Sequence, residues 1–193
     1  MAKIIVGLDI GFSSIKVVAL SKDREQFKLV SLGTVASPQP GIVSDGDSDL
    51  EALANAIKQL LAAARIDERK VNVALPESRV FTRVIDDLPY LTDNELSSAI
   101  RYAAEEFIPM SLADVNLNWQ VLVRSNTKGK NTKTVVLVIA SPKNVVAKYI
   151  KVLELTGLRP RVLETEIIAV TRSLVGNNPF SPSTLIVQLG ATT

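Results

Sequence analysis

The first 36 residues hold three β-rich runs, 3–10, 14–20 and 26–36, joined by connections far too short to contain a helix. Parallel neighbours need a crossover of about a dozen residues or more, so these runs are restricted to an antiparallel meander. Gly11-Phe12-Ser13 supplies the first turn, and Phe27, Leu29, Leu32 and Val35 recur along the third run. The loop 37–46 carries Pro38, Pro40, Gly41 and Gly46 and leads to Ser48-Asp49-Leu50-Glu51, a capping-box pattern. Behind it Leu50, Leu53, Ala54, Ile57, Leu60, Leu61 and Ala64 fall on one face of a predicted helix.

The order then changes. Residues 70–75 and 79–86 read as strands around Pro76-Glu77-Ser78. A second capping box, Thr92 to Glu95, opens a helix with Leu96, Ala99, Ile100, Ala103 and Phe107 inward, closed by Pro109. Residues 115–124 and 132–140 form a predicted hairpin around the polar loop 125–131. Ser141-Pro142 is the expected start of a helix running to Gly157. Residues 161–164 are a short strand, 166–175 a short helix and 184–189 a final apolar strand. Strand groups separated by helices predict an α/β layered fold with an inserted α+β unit. A last strand only four residues before the end predicts a fragment of something about twice as long.

The 193 residues are 47% hydrophobic and contain no Cys and no His. That excludes Ser-His-Asp and Cys-His relays, histidine-based zinc sites and thiol redox chemistry, leaving carboxylates, hydroxyls, Lys and backbone amides. A formal net charge of +2 gives no support to a nucleic-acid partner. The N-terminus breaks at Gly7 and Asp9, unlike a secretory signal. The longest later apolar run, 135–140, is far short of the ~20 residues that cross a bilayer. A soluble, cytoplasmic chain without direct membrane insertion is expected.

Set side by side, the two ends of the chain match. Leu8-Asp9-Ile10-Gly11-Phe12-Ser13-Ser14 and Val187-Gln188-Leu189-Gly190-Ala191-Thr192-Thr193 share one pattern: apolar, polar, apolar, Gly, any, hydroxyl, hydroxyl. A strand followed by Gly and small hydroxyl residues presents backbone N–H and side-chain O–H groups that suit phosphate oxygens. Gly11, Phe12, Ser13 and Ser14 in the first copy, and Gly190, Ala191, Thr192 and Thr193 in the second, are the predicted phosphate contacts. Asp9 would hold the water shell of a Mg²⁺ ion, and Lys16 would reach a β- or γ-phosphate as a point charge. Gln188 takes the place of the carboxylate in the second copy. Neither loop is a Walker A or dinucleotide turn.

Gly7 to Val18, Ala74-Leu75-Pro76-Glu77-Ser78-Arg79-Val80-Phe81, Ala104 to Pro109, Val115 to Val121, Glu166 to Leu174 and Leu185 to Thr193 together resemble the PilM family of type IV pilus assembly proteins, within the actin-like ATPase superfamily and related to FtsA. The resemblance covers essentially the whole chain. It implies an actin-like, ribonuclease H-like lobe (1–69 and 141–182), an inserted α+β subdomain (70–140) and the first strand of a second lobe (183–193). It further implies ATP and Mg²⁺ as cofactors, with the adenosine pocket in a second half beyond this chain. A PilN-like inner-membrane protein is the implied partner, its N-terminal cytoplasmic peptide taken up in a groove between first lobe and insert, with pilus motor components as further contacts. The implied location is cytoplasmic, peripheral to the inner membrane. Gln188, standing where the family has Asp, implies weak or absent hydrolysis. Two alternatives stand beside this: an FtsA-like division or filament protein, and a small-molecule kinase of the same superfamily.

Glu166 is the candidate for polarising an attacking water, although a first-turn helix carboxylate is favoured by the macrodipole in any case. Glu105 and Glu106 beside Arg101 read as a solvated helix face, Trp119 as core or the edge of a peptide groove, and the lysines of 128–133 as a solvent-facing loop.

Overall fold

The predicted meander forms as β1 (Lys3–Ile10), β2 (Ser14–Asp23) and β3 (Gln26–Ala36), with burial alternating along β1, the first half of β2 and the second half of β3. There follow α1 (Asp47–Ala63), β4 (Lys70–Leu75), β5 (Phe81–Leu88), α2 (Asp93–Glu105), β6 (Val115–Ser125), β7 (Lys133–Pro142), α3 (Lys143–Thr156), β8 (Arg159–Thr165) and α4 (Glu166–Leu174). The structure is a computed structural model and describes residues 3–24, 26–125, 133–175 and 184–189.

The chain divides into two units, one of Met1–Glu77 with Ala147–Thr193 and the other Ser78–Val146. In the first, five strands lie in the order β3-β2-β1-β4-β8. β2 runs antiparallel to both neighbours, whereas β1, β4 and β8 are parallel, so their carboxyl ends share one edge of the sheet. Val6, Leu8, Ile10, Ile15, Val17, Ala19, Val71 and Val73 are buried, as are Leu53, Ala54 and Ile57 of α1. α1 lies close on β3: a Cβ on Gly33 would meet Leu60 at 2.8 Å, and Ser31 Oγ donates to the Ala64 carbonyl at 2.6 Å. α3 ends as expected at Gly157, whose φ of +76° supports a Schellman closure. Its N–H donates to the Glu154 carbonyl, and that of Leu158 to Leu153.

In the second unit β5, β7 and β6 form an antiparallel sheet with β7 central. Leu96 and Ile100 of α2 pack on Ile85, Val136 and Val138, with Leu117, Trp119 and Val121 against the same cluster. Trp119 is therefore partly buried against this core. The alternate β7 side chains, Val135, Leu137 and Ile139, are only half-buried, and Val84 beside Leu137 is exposed.

Several boundaries differ from expectation. β4 pairs with β1 and β7 continues to Pro142, so the insert spans Ser78–Val146 rather than 70–140. Ser141 and Pro142 close β7, paired with Asn116 and Val115, and α3 starts after them. α1 takes Gly46 as N-cap, with Ser48 inside its first turn. Ser44 does the fastening instead, its hydroxyl accepting from Gly46 N–H and donating to Asp49. Arg79 belongs to a 3₁₀ turn, so β5 opens at Phe81. α2 stops at Glu105, before Phe107. On β3 the residues facing α1 are Ser31, Gly33 and Val35, while Phe27, Leu29 and Leu32 are exposed, because β3 is an edge strand with its register shifted at Val30. Residues 184–189 form no strand: no described strand pairs with them, and Leu185 and Leu189 are almost fully exposed. No helix among the described residues is long and apolar enough to cross a membrane.

Candidate functional site

The β1–β2 turn is built with its carbonyls tied back. Gly11 N–H donates to the Ser14 carbonyl at 3.0 Å, closing the turn. Ser37, buried behind it, donates from Oγ to the Gly11 carbonyl (2.6 Å) and from its N–H to the Ser13 carbonyl (3.0 Å). Gln39 Nε2 donates to the Phe12 carbonyl at 3.0 Å. No described residue accepts from the N–H groups of Phe12 and Ser13, and both residues are exposed. Glycine is required at position 11, since a Cβ there would sit 2.8 Å from the Ser14 carbonyl oxygen, a backbone atom that cannot swing away. A turn whose carbonyls are satisfied and whose exposed Phe12 and Ser13 amides have no described acceptor, followed by the Ser13 and Ser14 hydroxyls, has the polarity an anion requires.

Directly below the turn Asp9 faces Lys16 across the β1–β2 ladder, and Lys16 Nζ lies 3.3 Å from Asp9 Oδ2. The other Asp9 oxygen is buried with no protein partner. Two more such oxygens lie at the same edge of the sheet: Glu77 Oε2, just past β4, and Thr165 Oγ1, at the end of β8 opposite Leu75. Buried polar atoms are nearly always bonded, so orphans gathered at one edge mark a place for water or a ligand. Glu166, next along the chain, is half-buried and holds its proton more tightly than an ordinary glutamate. Burial is the main cause and the negative charge of Asp9 the next, with Glu77 adding to it; the Gln188 hydrogen bond and Lys16 act the other way. Gln188 Nε2 donates to Glu166 Oε2 at 2.8 Å.

Asp9, Gly11, Phe12, Ser13, Ser14, Lys16, Glu166 and Gln188 are thus brought to the carboxyl edge of β1, β4 and β8, where ligands bind in open α/β sheets. The second predicted loop, Gly190, Ala191, Thr192 and Thr193, lies outside the described residues, as does 126–132 of the basic loop. Gln188, two positions before Gly190, is the described residue of that segment that reaches the site. Lys133 at the end of the basic loop pairs with Asp86 at 3.3 Å. Sequence reasoning missed Glu77, Ser37 and Gln39 as site residues. Glu77 had a legible signal, a carboxylate just after a strand end; the other two had none, since a side chain that fastens a distant turn leaves no local pattern.

A hydrated Mg²⁺ fits this edge. Among the described residues no three acidic side chains come close enough to ligate an ion directly. The orphaned oxygens of Asp9 and Glu77 would instead accept from coordinated waters, and a cation would offset the repulsion between Glu166, Asp9 and Glu77.

The family model for the type IV pilus assembly protein PilM matches residues 7–192. One chain of a PilM-PilN type IV pilus biogenesis complex is 32% identical, with a TM-score of 0.75 over 88% of this chain and 49% of that one. The cytoplasmic domain of EpsL, an inner-membrane component of the Vibrio cholerae type II secretion system, shares the fold at 16% identity and a TM-score of 0.55, covering 86% of this chain and 59% of that one. Among curated proteins, the cell division protein FtsA of Enterococcus hirae is 25% identical over 203 residues, 96% of this chain and 46% of FtsA. The chain thus spans about half the length of the curated relatives it matches. The fold is that of the actin-like α/β proteins, and with a family pattern running from Gly7 through both terminal loops, the chain belongs to the type IV pilus assembly protein PilM family.

Proposed function

We propose that this chain is the phosphate-binding and partner-docking half of a PilM-type scaffold for type IV pilus assembly, cytoplasmic and held at the inner membrane through a PilN-like protein. The nucleotide part rests on one observation: a turn with unclaimed, exposed amides lies with three carboxylates at the carboxyl edge of β1, β4 and β8. Bound Mg-ATP would supply a triphosphate whose charge the ion partly neutralises. The Phe12 and Ser13 amides and the Ser13 and Ser14 hydroxyls bind phosphate oxygens, and Lys16 turns from Asp9 to the anion. Asp9 and Glu77 hold the ion's waters. Glu166, kept basic by burial and oriented by Gln188, accepts a hydrogen bond from water at the same edge. With Gln rather than a carboxylate at 188, the edge has less charge for organising a metal, which favours binding over turnover.

The partner part is supported by the 32% identity with the chain from the PilM-PilN complex. It is also supported by the apolar stripe of Val135, Leu137, Ile139 and Val84 on the sheet face opposite α2. In the full-length protein Asp9→Ala is expected to lower Mg-ATP affinity at least tenfold by calorimetry; unchanged affinity removes the site. A PilN-like N-terminal peptide is expected to shift NMR signals within Ser78–Val146, and an unperturbed spectrum there rejects the docking role.

A further inference from the structure

At the opposite end of the same parallel strands lies a cavity of about 730 Å³, lined among others by Lys3, Glu68, Lys70, Arg159, Pro160 and Arg161. Four cations face one carboxylate there, whereas the whole chain is nearly balanced, with 22 basic and 20 acidic residues. Glu68 offsets at most one of the four charges, and its Oε1 accepts from the Lys70 backbone N–H at 2.8 Å rather than from a cationic side chain. None of the four cavity cations has a carboxylate within 4.0 Å among the described residues, which is true of most described lysines and arginines; what distinguishes these four is that they line one concavity.

The backbone contributes a second observation. Val71 pairs with Pro160 and Asn72 with Val162, so Arg161 is an extra, unpaired residue in β8. Such a bulge on an edge strand re-aims a side chain, and here the bulged residue is one that lines the cavity. Lys70 and Arg159 lie directly opposite each other on neighbouring strands, and Lys3 begins the strand on the other side of β4. Across three strands these backbone positions lie roughly 10 Å apart laterally, and long lysine and arginine side chains can converge over that span on two linked phosphoryl groups. The volume falls in the ordinary range for small-ligand sites, about 300–1,000 Å³. Ile5 and Pro160 add apolar lining for an organic moiety. A ring of cations around a concavity suits a small anion better than it suits a membrane plane or an extended acidic chain.

We propose that this cavity binds a small organic diphosphate, at a site separate from the β1–β2 turn. Arg159 and Arg161 would engage phosphoryl oxygens through their planar forks, and Lys3 and Lys70 would act as point charges. The two sites stand at opposite ends of β1, roughly 20 Å apart at about 3.3 Å per residue.

The test uses the 193-residue chain, ¹⁵N-labelled and titrated with inorganic pyrophosphate. Saturable shifts at Lys3, Lys70, Arg159 and Arg161 are expected. Arg161→Ala should weaken binding at least tenfold, as should Lys70→Glu, whereas Ser13→Glu in the turn should leave those four shifts unchanged. Arg161 has no ladder partner on β4, so its truncation keeps the test valid if Lys70→Glu fails to fold. The proposal is overturned if these shifts are absent or survive Arg161→Ala. It is equally overturned if a tetraglutamate peptide binds there more tightly than pyrophosphate, which would make the face an acidic-peptide surface.

Discussion

Glu166 shows how a residue's chemistry is set by what lies around it. Its carboxyl is pushed up by burial and by Asp9, so the folded chain holds a proton there that the unfolded chain has released. Stability from this group is fully present below the ordinary carboxylate range and falls as pH rises through the raised value, because the native state binds more protons across that window. Glu166→Gln removes the titration while keeping an acceptor for Gln188. The variant is expected to melt higher than the parent at about pH 7.5 and equally at about pH 4, read by scanning calorimetry. An equal difference at both values would rule out the charge as the cause. The sequence exposed Asp9, Gly11 and the serines, since they are contiguous. It was silent on Ser37 and Gln39, which act on the turn from 26 and 27 residues away.

At the scale of elements, local chemistry fixed most of what the sequence made legible. The Thr92 capping box is present in full, with Thr92 Oγ1 accepting from Glu95 N–H and the Glu95 carboxylate accepting from Thr92 N–H. Gly157 ends α3 in the left-handed region, where a Cβ would meet nothing within 4 Å. The cost of Gly157→Ala is therefore backbone strain alone, and a loss of about 1 kcal/mol is expected in urea unfolding. A loss several times larger would mean that the α3–β8 connection itself had rearranged. Local patterns failed where tertiary contacts override them. Ser48 looked like a cap, but Ser44 reaches both Gly46 and Asp49 first. Ser141-Pro142 looked like a helix start, but β6 offers it ladder partners.

For the molecule as a whole, the second unit has its own sheet, helix and buried cluster around Ile100 and Val136. A fragment of residues 78–146 is expected to keep helix and sheet signals by circular dichroism and to unfold cooperatively, though marginally for its size. Loss of all structure would show that its core needs the rest of the chain. The chain spans about half the length of its curated relatives.

What the sequence determined by itself was most of the succession of elements, an α/β layered class and the glycine turn between β1 and β2, since strand alternation, caps and a glycine turn are short-range properties of contiguous residues. The tertiary structure alone decided that Glu77, Thr165 and Glu166 gather beside Asp9, that β4 belongs to the large sheet, and that four unpaired cations ring the far end. Those outcomes follow from parallel strand pairing, which joins residues distant in sequence and turns the ends of separate strands into a single edge.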